Sequence, residues 1–187
     1  MNVVFFGLGS IGRRHAGILQ EDFRHGLFAY RTKKGTNAGC GVHNISELYT
    51  WKELQAVSPG AAFITNPTFL HIKTAIECAR RGMALFIEKP LDSDVRQLKK
   101  FLEVVSSKNI TTYVAYVLRF HPVINRLKED VSRYHFLHMR VWSTSYLHLW
   151  RPAVDPRQSY SAHSRMGGEL SLIFRTSWIT PSIFWGR

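Results

Sequence analysis

Short apolar runs recur along the first half of the chain, separated by longer stretches of mixed polarity. The runs cover residues 3–6, 27–30, 61–64, 84–87 and 111–117. Brief runs rich in β-branched and aromatic side chains are typical of strands that are buried on both faces of a parallel sheet. The pattern therefore predicts five strands of such a sheet.

The stretches between these runs predict helices over residues 13–21, 45–54, 71–81 and 94–105. The third helix follows Thr68, whose hydroxyl can cap a helix, and it ends at Gly82, where a C-terminal glycine is favoured. Strands that alternate with helices indicate an α/β fold. We predict a Rossmann architecture, that is, a doubly wound parallel sheet.

The first predicted strand leads directly into a glycine turn, Gly7-x-Gly9-x-x-Gly12, at the start of the first helix. In dinucleotide-binding folds the first glycine permits the turn, the second admits the pyrophosphate and the third allows close helix–strand packing. The N–H groups at the helix start, near Ser10 and Ile11, then face the phosphates. We interpret these residues as cofactor-binding, and the alternative is a glycine-rich turn without a ligand.

The second predicted strand ends beside Arg31 and Thr32, which Lys33 and Lys34 follow. At this position an acidic residue binds the ribose hydroxyls of NAD, whereas an arginine accommodates the 2′-phosphate of NADP. This run has no acid in reach. Its charge therefore favours NADP as the cofactor, with NAD possible, and a basic surface loop is the alternative interpretation.

Polar residues also follow the third predicted strand. Thr65, Asn66 and Pro67 come directly after it, and His71 opens the next helix. Ligands of open α/β sheets bind at the carboxyl ends of the strands, so we expect this loop in the cofactor crevice. His71 either contacts the cofactor or substrate, or caps or packs the helix.

The fourth predicted strand ends in Glu88-Lys89-Pro90. A lysine between a buried strand and a proline is held at the strand end with its ammonium group in the crevice. There Lys89 can polarise a carbonyl or exchange a proton with a hydroxyl that is being oxidised. We predict that Lys89 is catalytic.

The composition indicates a globular protein with an excess of basic residues. The chain has 187 residues, of which 45% are hydrophobic, and a formal net charge of +12. This charge suits nucleic acid and phosphate-bearing small ligands equally, and the basic pairs are scattered, so charge alone does not decide between them. Nucleic acid is the weaker alternative because Phe28, Tyr30 and Phe120 are better explained as strand core than as base-stacking platforms. Cys40 and Cys78 match no metal spacing, and no apolar run approaches the roughly 20 residues of a membrane span. We expect a cytoplasmic protein without a signal peptide, a metal or a membrane partner.

With these segments in place, the chain resembles the glucose–fructose oxidoreductase / inositol dehydrogenase / MocA (Gfo/Idh/MocA) family. Three motifs carry the resemblance: the glycine turn, the Thr65-Asn66-Pro67-Thr68 loop through His71, and Glu88-Lys89-Pro90. Residues 118–122 are similar to the end of the family's nucleotide domain. The resemblance adds Glu88 and Arg119 to the cofactor-binding residues. Residues 146–168 are similar to a sub-group found with surface-sugar and nonulosonate genes.

The resemblance implies NAD(P)-dependent hydride transfer at a hydroxyl or carbonyl of a sugar, sugar nucleotide or polyol. It also implies a homo-oligomer in the intact form. Lys89 takes the place of the family's lysine, which acts with a histidine in proton transfer. Val117 stands where the family often has asparagine, so a polar contact near the nicotinamide or substrate is missing. A non-catalytic dinucleotide-binding or regulatory module is the alternative function.

We predict three regions: a nucleotide-binding domain at 1–120, an incomplete α+β mixed-sheet domain at 121–171 with a strand at 135–146, and a tail at 172–187. The tail lacks the acid and histidine of the family's next helix. One allowed back-translation of it, read one base earlier, encodes Leu-Asp-Leu-Ser-His-Glu-Leu-Asp-Tyr-Ala-Gln-Tyr-Leu-Leu-Gly-Lys, which resembles that helix. We therefore interpret the tail as a frameshift product, with a genuine variant tail as the alternative. We expect such a truncated chain to bind NADP weakly or not at all and to turn over no sugar.

Sequencing of the coding DNA tests the frameshift. We expect the homologous helix and its continuation in a neighbouring reading frame after the codon of residue 171. An intact frame that encodes the tail, with no such continuation in another frame, contradicts this prediction.

Overall fold

A computed structural model of the chain describes residues 1–22, 25–32, 44–134 and residue 155. The chain divides into two compact units, Met1–Ala115 and Tyr116–Arg187, and each is described by itself. The predicted strand at 135–146 and the predicted tail at 172–187 lie outside the described residues, as does most of the predicted second domain.

The first unit contains a six-stranded sheet in which every neighbouring pair is parallel. The spatial order is β3-β2-β1-β4-β5-β6, and the order reverses between β1 and β4. This is the strand order of dinucleotide-binding α/β folds. The strands are β1 (Asn2–Phe6), β2 (Gly26–Tyr30), β3 (Ile45–Leu48), β4 (Ala61–Ile64), β5 (Ala84–Ile87) and β6 (Thr112–Val114).

Helices connect these strands and cover both faces of the sheet. Side chains of β1 alternate, so that Val3 and Phe5 pack on one face with Ala16, while Val4 and Phe6 pack on the other. The predicted doubly wound α/β fold is therefore confirmed. The helices are α1 (Ser10–Asp22), α2 (Trp51–Val57), α3 (His71–Arg80) and α4 (Leu98–Ser107) in the first unit, and α5 (Pro122–Arg133) in the second.

The prediction of one helix over residues 45–54 is wrong, because residues 45–48 form β3 and α2 begins only at Trp51. Thr50 caps α2, since its hydroxyl accepts a hydrogen bond from the Glu53 N–H at 3.2 Å. The Glu53 carboxylate accepts from the Tyr49 N–H at 2.6 Å in return. This reciprocal cap separates the strand from the helix.

The cap of α3 and the bounds of α4 and β6 also differ from the sequence-based prediction. Thr68 does not cap α3, because it is buried at the start of a 3₁₀ turn, Thr68–Leu70, that precedes the helix. Asp94 accepts from the Arg96 N–H at 2.8 Å, and this local turn delays the start of α4 to Leu98. The last predicted strand is shortened to β6.

The second unit begins with a 3₁₀ turn, Val117–Phe120, and continues into α5. Pro122 occupies the first turn of α5, where a proline costs no hydrogen bond. His121 Nδ1 accepts from the Val123 N–H at 3.3 Å and caps the helix. Among the helices of the described residues, none has both the length and the apolar character to cross a membrane.

Cys78 provides a chemical test of this fold. Its side chain on α3 is fully buried, and this burial raises the pKa of the Cys78 thiol well above its usual range. Since the thiolate is the reactive form, we expect no iodoacetamide labelling of Cys78 at about pH 8 in the native state, and complete labelling in guanidinium chloride. Peptide mass spectrometry separates Cys78 from Cys40. Rapid labelling of native Cys78 contradicts the packing of α3.

Candidate functional site

The glycine turn lies at the carboxyl end of β1, where the strand order reverses. Gly7 has φ +104°, and a Cβ at this position would lie 2.6 Å from the Asn66 nitrogen. A Cβ on Gly12 would lie 2.9 Å from Thr65 Oγ1 and would also clash with the Gly7 carbonyl. Neither position therefore tolerates a side chain.

Gly9 differs from the other two glycines. A Cβ built there would have no contacting atom of the described residues within 4 Å, and the residue is exposed. Among the described residues, nothing in the fold excludes a side chain at this position, and the space above the backbone is open. An open glycine before the first turn of α1 is what a pyrophosphate needs in order to approach the backbone. Ser10 is exposed and Ile11 is half-buried in that first turn.

Thr65 joins the glycine turn to the end of β4. Its hydroxyl donates to the Gly7 carbonyl at 2.6 Å, and its N–H donates to the Phe6 carbonyl at 3.0 Å. These bonds set the distance between β1 and β4 at the point where the two strands diverge. The buried side chain of Thr65 thus helps to fix the geometry of the crevice between the two strand ends.

Asn66 follows Thr65 and presents an unused acceptor. Its Nδ2 donates to Thr74 Oγ1 at 2.9 Å, which orients the amide. Its Oδ1 is buried and has no hydrogen-bond partner among the described residues. Buried polar atoms are ordinarily paired. This atom, which is held beside the glycine turn, is therefore a candidate contact for a bound ligand.

His71 joins two turns of the site. Its Nε2 lies 2.8 Å from the Asn66 carbonyl and its Nδ1 lies 2.8 Å from the Pro90 carbonyl, and the side chain is 2% exposed. Both ring nitrogens are engaged by backbone, so this geometry favours the packing alternative over contact with cofactor or substrate. His71 holds the Asn66-Pro67 turn against the Lys89-Pro90 turn.

Glu88 takes part in a contact that the sequence did not predict. Its Oε1 lies 2.8 Å from Nε2 of His15, and its Oε2 accepts from the Lys89 N–H at 3.2 Å. The His15 ring packs against Phe63 and Phe86, with ring centroids 5.9 and 5.0 Å away. His15 lies one helical turn after Gly12, and this spacing is the signal that could have found it.

Lys89 follows Glu88 at the end of β5 and precedes Pro90 through a cis peptide bond. Its side chain is half-buried, whereas Pro90 is buried. The neighbouring carboxylate of Glu88 is engaged by His15, and the neighbouring carbonyl of Pro90 is engaged by His71. Lys89 is therefore positioned from both sides by contacts with α1 and α3.

Arg31 has an acidic neighbour, Glu47, that is 16 positions away in the sequence and lies on the adjacent strand. Its N–H donates to the Leu48 carbonyl at 2.7 Å, and its Nε lies 3.5 Å from Oε1 of Glu47. The expectation of no acid in reach is wrong, because the parallel register of β2 and β3 supplies one from the neighbouring strand. Thr32 is exposed, and Lys33 and Lys34 lie outside the described residues.

The first unit brings together most of the predicted cofactor-binding residues. The glycine turn, Thr65, Asn66 and His71 are joined by hydrogen bonds, whereas Arg119 belongs to the second unit. Within the described ranges, no cluster of His, Cys, Asp or Glu side chains could hold a metal ion. The open Gly9 and the unpaired Asn66 Oδ1 fit a dinucleotide.

Comparison with known families agrees with this geometry. The family model described as "Oxidoreductase family, NAD-binding Rossmann fold" (GFO_IDH_MocA) matches residues 1–116. The matched residues include the glycine turn, the Asn66 turn and the Lys89 turn.

Two curated relatives and one solved structure show the extent of the similarity. The chain is 30% identical to inositol 2-dehydrogenase of Rhizobium meliloti strain 1021 over 67% of its own length and 39% of the relative's. It is 26% identical to D-xylose 1-dehydrogenase [NADP(+)] of Haloarcula marismortui, covering 54% and 29%. Scyllo-inositol dehydrogenase of Lactobacillus casei, solved with NAD(H) and scyllo-inositol, aligns with a TM-score of 0.59 at 19% identity, covering 71% and 41%. The chain thus spans less than half the length of these relatives.

The glycine turn gives a matched pair of substitutions. Gly7→Ala introduces a Cβ into the Thr65–Asn66 backbone at positive φ, so we expect a loss of about 3 kcal/mol in the free energy of unfolding. Gly9→Ala meets no protein atom, so its stability stays within about 1 kcal/mol of wild type while NADPH binding is lost. Urea denaturation and fluorescence titration measure the two quantities. If Gly9→Ala is stable and binds NADPH as tightly as wild type, the assignment of this turn to pyrophosphate binding is wrong.

Proposed function

The chain belongs to the Gfo/Idh/MocA oxidoreductase family with its NAD-binding Rossmann fold, and from this premise we propose that it is the nucleotide-binding part of a sugar or polyol dehydrogenase. The proposed reaction is NAD(P)-dependent hydride transfer at a hydroxyl or carbonyl of a sugar, sugar nucleotide or polyol. Two observations carry the proposal together: Gly9 of the glycine turn is open, and Asn66 Oδ1, in the loop that lies against Gly7, is buried without a hydrogen-bond partner among the described residues.

The residues that would hold the cofactor are those of the three joined turns. Backbone of the Gly7–Gly12 turn and the α1 N-terminus would bind the pyrophosphate, and Asn66 would accept a hydrogen bond from the ligand. The bound nicotinamide supplies the hydride acceptor or donor. His71 and Thr65 maintain the spacing of the turns through their contacts with the Asn66, Pro90 and Gly7 carbonyls.

Lys89 is the proposed catalytic group. In the oxidation direction its Nζ would accept or relay the proton of the substrate hydroxyl, and in reduction it would return a proton to the carbonyl oxygen. The strand end supports this role, because His15–Glu88 and His71–Pro90 hold the residues on both sides of the lysine peptide. His15, Glu88 and His71 therefore act as positioning residues.

A non-catalytic dinucleotide-binding module is the second candidate. It is favoured by coverage, because the chain aligns with only 39% and 29% of the lengths of these relatives. The resemblance also implies a catalytic histidine in the helix that follows residue 171, and residues 172–187 contain no histidine. We propose that the 187-residue chain binds dinucleotide weakly and does not turn over sugar on its own. We further propose NADP as the preferred cofactor, a cytoplasmic location and a homo-oligomeric state for the longer enzyme.

Turnover separates the two candidates. The assay uses the chain extended by the repaired reading frame, and the candidate substrates are inositol, xylose and UDP-sugars. On whichever of them is turned over, we expect Lys89→Met to lower kcat roughly 100-fold or more and to retain NADPH binding. Lys73→Met, an exposed lysine of α3, is the matched control and should leave kcat unchanged.

Two results contradict the proposal in different ways. Unchanged kcat in Lys89→Met removes the lysine from the chemistry. Dinucleotide binding without turnover of any of these substrates by the extended chain favours the non-catalytic module.

A further inference from the structure

Glu47 and Arg31 form a charged pair at the carboxyl edge of the sheet. The residues of β2 that share a face with α1 are Leu27 and Ala29, and Arg31 continues that alternation. On β3, Ile45 packs on the same face and Glu47 follows it two residues later. The two charged side chains therefore lie on the face of the sheet that carries α1 and its glycine turn.

The strand register places this pair next to the candidate cofactor site. Phe6 of β1 is the register partner of Tyr30, so Gly7 and Arg31 leave neighbouring strands at the same level. Tyr30 is in turn the register partner of Leu48, which brings Glu47 beside Arg31. The end of β2 is where dinucleotide-binding folds sort NAD from NADP at the adenosine ribose.

Both members of the pair are held in place. The Arg31 and Glu47 side chains are 17% and 21% exposed, and Arg31 Nε lies 3.5 Å from Glu47 Oε1. The Tyr49 hydroxyl donates to Glu47 Oε2. Glu47 Oε1 is buried and accepts no hydrogen bond from the described residues. Apart from its ion pair with Arg31, this carboxylate oxygen keeps its acceptor capacity at the edge where a ribose hydroxyl is recognised.

We propose that Glu47 is a cofactor-specificity residue that lets this chain accept NAD beside NADP. The inference rests on the proposed function and deepens it. Glu47 supplies from β3 the acid that is absent from the end of β2, and its Oε1 accepts from the adenosine ribose hydroxyl. The same charge opposes a 2′-phosphate and offsets the attraction of Arg31 for it. The chain therefore binds NADPH with only a modest preference over NADH.

Fluorescence titration of the 187-residue chain with NADPH and NADH at fixed ionic strength tests this assignment. Glu47→Gln removes the charge and keeps the shape of the side chain. We expect it to tighten NADPH about fivefold and to weaken NADH about twofold, as removal of one half-buried charge should. Glu103→Gln, an exposed acid of α4, changes the net charge equally and should leave both affinities within about twofold.

Arg31→Gln is a second variant for the same titration, and it tests the proposal even if Glu47→Gln does not fold. With Glu47 alone at the ribose, we expect NADPH affinity to fall about tenfold while NADH changes less than about twofold. If wild type binds both dinucleotides and neither variant alters their ratio beyond that of Glu103→Gln, the role of Glu47 is wrong and the proposed function stands. If wild type binds neither, the proposal that the 187-residue chain binds dinucleotide is wrong, and the role of Glu47 is wrong with it.

Discussion

The site depends on the close approach of two backbone turns where β1 and β4 diverge. The Thr65 hydroxyl reaches the Gly7 carbonyl at 2.6 Å, and neither Gly7 nor Gly12 has room for a Cβ in that approach. A Cβ on Gly7 would clash with the Thr65–Asn66 backbone, and a Cβ on Gly12 would clash with the Gly7 carbonyl, so either would disrupt this approach. The crevice exists because β1 is flanked by β2 on one side and by β4 on the other, so that connections leave in opposite directions.

The other turns are tied to this one by hydrogen bonds from two buried or half-buried histidines. His71 connects the Asn66 turn to Pro90, and His15 connects α1 to Glu88. The cradle that would hold the phosphates and the strand end that carries Lys89 are therefore parts of one polar network inside the first unit. Because the unsatisfied partner of a lost buried hydrogen bond costs about 1–3 kcal/mol, this network favours a single arrangement of the three turns.

Local sequence patterns predicted most of the sheet because β1, β2, β4 and β5 are short apolar runs. They did not predict β3, where Ser46 and Glu47 interrupt the apolar character of an edge strand. An edge strand is buried less completely than a central one, so its periodicity is weaker. The positions of the glycine turn and of Lys89 at strand ends could also be predicted from the sequence, because each directly follows an apolar run that forms a buried strand.

Contacts between distant residues could not be read from the sequence in the same way. His15 and Glu88 are 73 positions apart, and Glu47 meets Arg31 through the register of β2 with β3. Each contact follows from strand order and register, which the linear pattern leaves open. For Arg31 the consequence is chemical, because a residue typical of NADP sites has a carboxylate 3.5 Å away.

Hydrogen exchange of the chain with and without NADP, measured by mass spectrometry, tests most directly whether the three turns form one dinucleotide-binding site. We expect slower exchange on NADP addition in the peptides that contain residues 7–12, 65–67 and 88–90, because the three turns form one binding site. Unchanged exchange in these turns at saturating NADP, or protection confined to other segments, would contradict it.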